Sequence, residues 1–208
     1  MPRLPVTTKP LSFLSDLSDW QTIGKVEETV QRGKAHFGED FVTSRDAKTL
    51  REAWIGLRYA TAFGCDYMRM SDAPDMELWS ALGVRQWEIV EALDPWRRRG
   101  DEYRNPTDEP VFDDCLRRRR EILPTIQRRA DEKAAKRYGD RTSLLIYANM
   151  GLYGAFREEV EPSLHDVTSQ ASQTFQEVAL YWEGRVYRLW RDQRALKLEP
   201  TLYEGGLL

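Results

Sequence analysis

The stretch Leu50 to Asp72, LREAWIGLRYATAFGCDYMRMSD, constrains the chain more than any other segment. Leu50, Trp54, Leu57, Ala60 or Thr61, and Gly64 recur at three- and four-residue spacing, the period of an amphipathic helix. The rest of the chain is expected to organise around that helix. It carries Glu52 towards its buried side and runs into Gly64, Cys65, Asp66 and Tyr67. Met68 and Met70 follow, and then Ser71–Asp72, a pair suited to capping a further helix. A lone cysteine, a tyrosine and a carboxylate gathered just past a glycine read as a site.

At 208 residues one large domain is the better expectation, and 41% apolar with 31% charged residues places it among soluble globular chains. A net charge of -3 without a basic face gives no sign of a nucleic-acid partner. Two cysteines, Cys65 and Cys115, cannot frame a disulfide scaffold, so a reducing cytoplasm is expected. No run of about eighteen apolar residues is present to span a membrane, and MPRLPVTTKPLSF is too poor in apolar residues for a secretory signal. Seven tryptophans and nine tyrosines point to aromatic-rich packing, an oligomer interface or a lined pocket.

In chain order, Pro2, Pro5 and Pro10 make residues 1–11 an extended arm. A first helix capped by Ser18 runs to Gly38, and the organising helix opens at Ser44 or Asp46. Asp75 to Gly83 and Val84 to Leu93 read as two more helices. Residues 94–110 form a long loop, of the kind that serves as a lid, arm or interface element. Val111 to Tyr138 is a charged helix that Pro124 kinks or splits. Its Arg117–Arg120 run is either a solvated face or an anion site. SLLIYANMGLYGAF is expected as the central buried helix, and Ser163 to Leu196 as a long last helix. The aromatic residues of YWEGRVYRLW would give that helix a subunit interface. The sum is an all-α single domain over 1–208, a bundle of about six to eight helices forming a homo-oligomer.

The chemistry is narrowed by what is missing. His36 and His165 are the only histidines, and Gly38 and Pro162 break their spacing to Glu39 and Glu161. No metal site and no cofactor is expected. Neither a Gly-x-Ser-x-Gly elbow nor a glycine-rich phosphate loop occurs. Cys65 is the strongest single nucleophile or redox candidate, against the plain reading of a small buried hydrophobe.

The opening MPRLPVTTKP resembles that of carboxymuconolactone decarboxylase and alkyl hydroperoxidase D-like proteins. Arg51–Glu52, Leu57-Arg58-Tyr59-Ala60 and Gly64-Cys65-Asp66-Tyr67 are similar to that family's motif segments. DMELWSALGVRQWEIVEAL and SLLIYANMGLYGAFREEVEPSL resemble its later helices, so the likeness spans about residues 1–165. The chain departs from the pattern where the second redox cysteine falls on Met68 and the histidine on Asp72. Without a resolving thiol, two-cysteine peroxidase chemistry is not expected. The resemblance implies a cofactor-independent enzyme moving a proton on a carbonyl or lactone substrate, by decarboxylation, isomerisation or a lyase step. Asp72 and Tyr67 would act with Cys65, Arg58 and Glu52, or with His36 in place of Glu52. Asp72 would carry the proton in an apolar pocket, or would simply cap the next helix. The alternative is a helical oligomer or binding protein that keeps the scaffold without the chemistry.

Overall fold

The computed structural model describes residues 12–93, 112–136, 138, 141–151 and 154–202. The arm expected at 1–11 and the loop expected at 94–110 lie outside the described residues. In chain order, leaving aside helical segments of three or four residues, the elements are β1 (Gln21–Thr22), α1 (Ile23–Phe37), α2 (Lys48–Ala62), β2 (Tyr67–Met70), β3 (Met76–Ser80) and β4 (Gly83–Leu93). There follow α3 (Phe112–Ala134), β5 (Thr142–Asn149), α4 (Leu164–Thr174), β6 (Glu177–Trp182), β7 (Arg185–Arg191), β8 (Arg194–Ala195) and β9 (Thr201–Leu202). The strands form one nine-stranded mixed sheet, ordered β1 to β8 with β9 also on β7. β2, β3 and β4 are an antiparallel meander, β4, β5 and β6 run parallel, and β7 returns antiparallel to β6. The all-α expectation is therefore corrected: the chain has an α/β fold.

The helices expected around α1 and α2 are present. Thr22 rather than Ser18 caps α1, accepting from the Lys25 amide at 3.4 Å, and Gly38 ends it with φ 52°. α3 stays one helix, with Pro124 inside it on an exposed face. The other expected helices are strands, except that the last begins as α4 before giving way to β6 and β7. Thr142–Asn149 and Glu177–Trp182 are buried on both faces, and such continuous apolar runs carry no period to tell strand from helix. Gly83, expected to stop a helix, closes the β3–β4 hairpin at φ 95°. The supposed last helix ends at Thr174, and Glu183–Gly184, at φ 46° and 76°, turn β6 into β7. Two left-handed residues in a two-residue loop are what a tight hairpin needs to match strand twist. Tyr181, Trp182, Val186 and Tyr187 are consequently buried within the chain, on the two faces of the sheet.

Alternation along the strands feeds two cores. Ile89, Leu145, Ala179 and Tyr181 face α1 and α2, together with Val26, Val30, Leu50, Trp54 and Leu57. Val90, Leu144, Ile146, Val178 and Leu180 face α3 and α4, where Ile122, Ile126 and Ala130 make a stripe at four-residue spacing. α2 lies very close to the sheet because residue 56 is glycine: a Cβ there would stand 2.4 Å from the Met76 sulfur. Among the described residues no helix is long and apolar enough to cross a membrane.

Candidate active site

The β3–β4 ladder ends at Met76 opposite Trp87, so the next cross-strand positions hold Asp75 and Glu88. Two carboxylates in opposed positions repel, and burial of Glu88 to 6% exposure sharpens the cost. Beyond this point β4 continues alone against β5 through Leu93. The Asp75 carboxylate takes over where the ladder stops, its Oδ2 accepting from the Ile89 amide at 2.7 Å. α3 supplies the counter-charge. Arg129 Nε donates to the Glu91 carbonyl at 2.9 Å and pins the helix over β4. One turn on, Lys133 Nζ donates to Glu88 Oε2 at 2.6 Å and stands 3.7 Å from Asp75 Oδ2. Burial pulls the Lys133 ammonium down, but its hydrogen bond to Glu88 and the charges of Asp75 and Glu88 outweigh this and hold it above the ordinary lysine value. The Lys133 ammonium also lies 5.6 Å from the centre of the Tyr138 ring.

Glu52 enters from the opposite layer. It sits four residues before Gly56 on the same face of α2, which brings it towards the residue preceding Met76. Burial, and then the Asp75 charge, push its carboxyl above the usual glutamate range, against the pull of Lys48 at 3.2 Å and of Lys133. A raised folded pKa gives stability that is present at low pH and is lost as pH rises through that raised value. Glu52→Gln is therefore expected to raise the melting temperature at pH 7, with the gain vanishing below the ordinary glutamate pKa. Melting curves from pH 3 to 8 test this, and an unchanged or lowered value at pH 7 would show that Glu52 is not under charge strain.

The residues expected from sequence are dispersed. Tyr67 and Asp72 flank opposite ends of β2, with roughly 10 Å of strand between them. Tyr67 is 41% exposed with its ring against Trp79, and Asp72 is exposed in a turn leading to a strand, so it caps no helix. Arg58 is buried with its guanidinium 5.0 Å from the Trp54 ring centre. Cys65 is half-buried, and burial pushes its thiol up to about 11, which disfavours the thiolate a nucleophile needs. His36 lies exposed in the last turn of α1, and His165 Nε2 faces the Leu189 and Leu196 carbonyls at 3.1 and 2.9 Å. The Arg117–Arg120 run is dispersed too: Arg118 donates to the Gly151 carbonyl at 3.3 Å and Arg119 pairs with Glu159. Of the expected set, Glu52 alone belongs to the carboxylate cluster.

Asp75, Glu88 and Lys133 escaped the sequence reading. Pro74–Asp75 ahead of the alternating Met76-Glu77-Leu78-Trp79 was the available signal, and it marks a turn into a strand. Among the described residues no three His, Cys, Asp or Glu side chains are already arranged to hold a metal ion. The all-oxygen donors that do meet suit a hard cation, and Mg²⁺ binds through one or two carboxylates plus the phosphate of a substrate. No family model, curated protein or solved structure matches the chain.

Proposed function

We propose that the protein is a divalent-cation-dependent hydrolase of phosphoester bonds, with nucleic-acid phosphodiesters as its principal substrate class. The observation that carries this reading is the opposed Asp75–Glu88 pair at the sheet fork, bridged by Lys133 from α3 and approached by Glu52 from α2. A purely structural ion pair needs one acid and one base. Here three acids, Asp75, Glu88 and Glu52, draw on two lysines, Lys133 and Lys48, which leaves one negative charge in excess for a divalent cation to balance. Asp75 and Glu88 would hold the ion, Glu52 would hold it or one of its waters, and the ion would make that water a nucleophile at neutral pH. Lys133 would then turn from Glu88 to the non-bridging phosphate oxygens and meet the charge that develops there. The water oxygen would form the new P–O bond, its proton would pass to solvent through Glu52, and the ester oxygen would leave and take a proton from solvent. The overall charge of -3 does not weigh against a nucleic-acid substrate, because the ion supplies the local positive charge.

The decisive experiment incubates the purified chain with labelled DNA, labelled RNA and a chromogenic phosphodiester in Mg²⁺ or Mn²⁺. Mn²⁺ binding is followed in parallel by electron paramagnetic resonance. Cation-dependent cleavage abolished by EDTA, with Mn²⁺ binding lost in Asp75→Asn, is the expected result. Undiminished Mn²⁺ binding in Asp75→Asn, or no binding by the wild type, would sink the proposal whatever the substrate.

A further inference from the structure

Away from the carboxylate fork, a cavity of about 230 Å³ opens where the end of α2 meets the start of β4 and the end of β7. Tyr59, Phe63, Cys65, Trp87 and Leu82 contribute to its wall, with Arg85, Arg188 and Arg191 supplying its charge. These three arginines surround one acid, Glu177, which is fully buried at the start of β6. Arg85 Nη1 donates to Glu177 Oε2 at 2.9 Å, Arg188 Nε lies 3.0 Å from Oε1, and Arg191 Nε stands off at 3.9 Å. The Tyr59 hydroxyl donates to the same carboxylate and accepts from Arg188 at 3.0 Å.

One carboxylate balances one guanidinium. Exposed Asp66, whose charge reaches Cys65, is the second acid nearby, and the three cations still outnumber the two acids. Each arginine side chain keeps between a fifth and a third of its surface accessible, on the walls of the cavity. The Arg188 guanidinium lies 3.8 Å from the Phe63 ring centre, so charge and a flat aromatic surface are presented side by side. We propose that this cavity is a binding site for a small oxyanion carried on a flat apolar group, such as an aryl phosphate or aromatic carboxylate. The volume lies just below the usual range for small-molecule pockets, which limits the ligand to about one ring and its anionic group. Leu82, 69% exposed, marks the mouth.

Cys65 makes the site observable, because it lines the cavity while Cys115 is buried elsewhere. The experiment measures alkylation of Cys65 by iodoacetamide at pH 8.5, mapped by peptide mass, as phenyl phosphate is added. EDTA is present throughout, so no cation occupies the carboxylate fork and failure here is separable from failure of the hydrolase reading. Saturable protection of Cys65 is expected, with the half-protecting concentration raised about tenfold in Arg191→Gln, as loss of one charge-assisted contact implies. Arg191 holds Glu177 most loosely, so its variant is the one most able to fold; Arg191→Lys, retaining the charge, is expected to fall between the two. Absence of protection in the folded wild type would overturn the proposal. So would equal protection by sodium chloride at matched ionic strength, or equal protection in Arg191→Gln.

Discussion

Lys133→Met is expected to lower cation-dependent phosphoester cleavage by about 10²–10³-fold, the usual cost of losing one group that meets transition-state charge. Glu88→Gln is expected to cost more than the roughly 100-fold typical of groups that merely orient a metal ligand, because here the ligand itself is lost. The two variants should differ in stability. Lys133→Met leaves Glu88 and Asp75 facing each other without a cation, and breaking a buried pair from one side costs about 3–5 kcal/mol. Added Mg²⁺ should then stabilise Lys133→Met more than wild type, since the ion takes over the neutralising role. The double variant Glu88→Gln/Lys133→Met should recover much of the stability and none of the activity. A structural ion pair alone would give the same stability pattern with no dependence on Mg²⁺, so urea titrations with and without Mg²⁺ separate the two. The pH profile carries the same information. Lys133 is raised, so it stays charged through neutrality, and the stability it contributes is lost only as pH climbs past its folded value in the alkaline range. Activity between pH 6 and 9 should therefore follow ionisation of the attacking water, with no step from Lys133 acting as a base.

How much of this was legible in the sequence differs between elements for physical reasons. α1 and α2 are amphipathic and end at glycines or turns, so their three-to-four period and stop signals stood out. β4, β5 and β6 are covered by helices on both faces, which erases the alternation that marks a strand and leaves apolar runs readable as buried helix. The clearest missed cue was Glu183–Gly184 between Tyr181–Trp182 and Val186–Tyr187, a hairpin turn placed in the middle of a supposed helix. Once the sheet is lost the site is lost with it. Asp75 and Glu88 are thirteen positions apart and become neighbours only through the β3–β4 register, while Lys133 arrives from a separate helix. Glu52 was within reach of the sequence because it lies on α2, whose helical period was legible. The all-α reading came from the helical periods before any resemblance was drawn, and the sheet that replaces it places Tyr67 and Asp72 at opposite ends of β2, away from buried Arg58.

Glu177→Ala is expected to be the most destabilising single change outside the carboxylate fork. Nothing in the local sequence Phe175-Gln176-Glu177-Val178 distinguishes this acid, yet it is fully buried and ties β6 to Tyr59, Arg85 and Arg188. Removing it strands the cations and the Tyr59 hydroxyl, and one-sided loss of such a partner costs about 3–5 kcal/mol. At roughly 2–4 °C per kcal/mol for a chain of this size, the melting temperature should fall by roughly 6–20 °C. Partial exposure of the three arginines lets water recover some of that cost, which favours the lower half of the range. Glu177→Gln keeps an acceptor and loses the charge, so its effect should be smaller. Burial first, and then the Glu177 charge, hold the Tyr59 phenol well above its ordinary value. The alanine variant should therefore show that phenol titrating at lower pH by ultraviolet absorbance. Phenyl phosphate should also restabilise Glu177→Ala more than wild type, because an oxyanion in the cavity would stand beside arginines that have lost their own carboxylate. A loss under 1 kcal/mol, with no added response to phenyl phosphate, would mean that solvent already balances these charges and that Glu177 organises neither the fold nor the cavity.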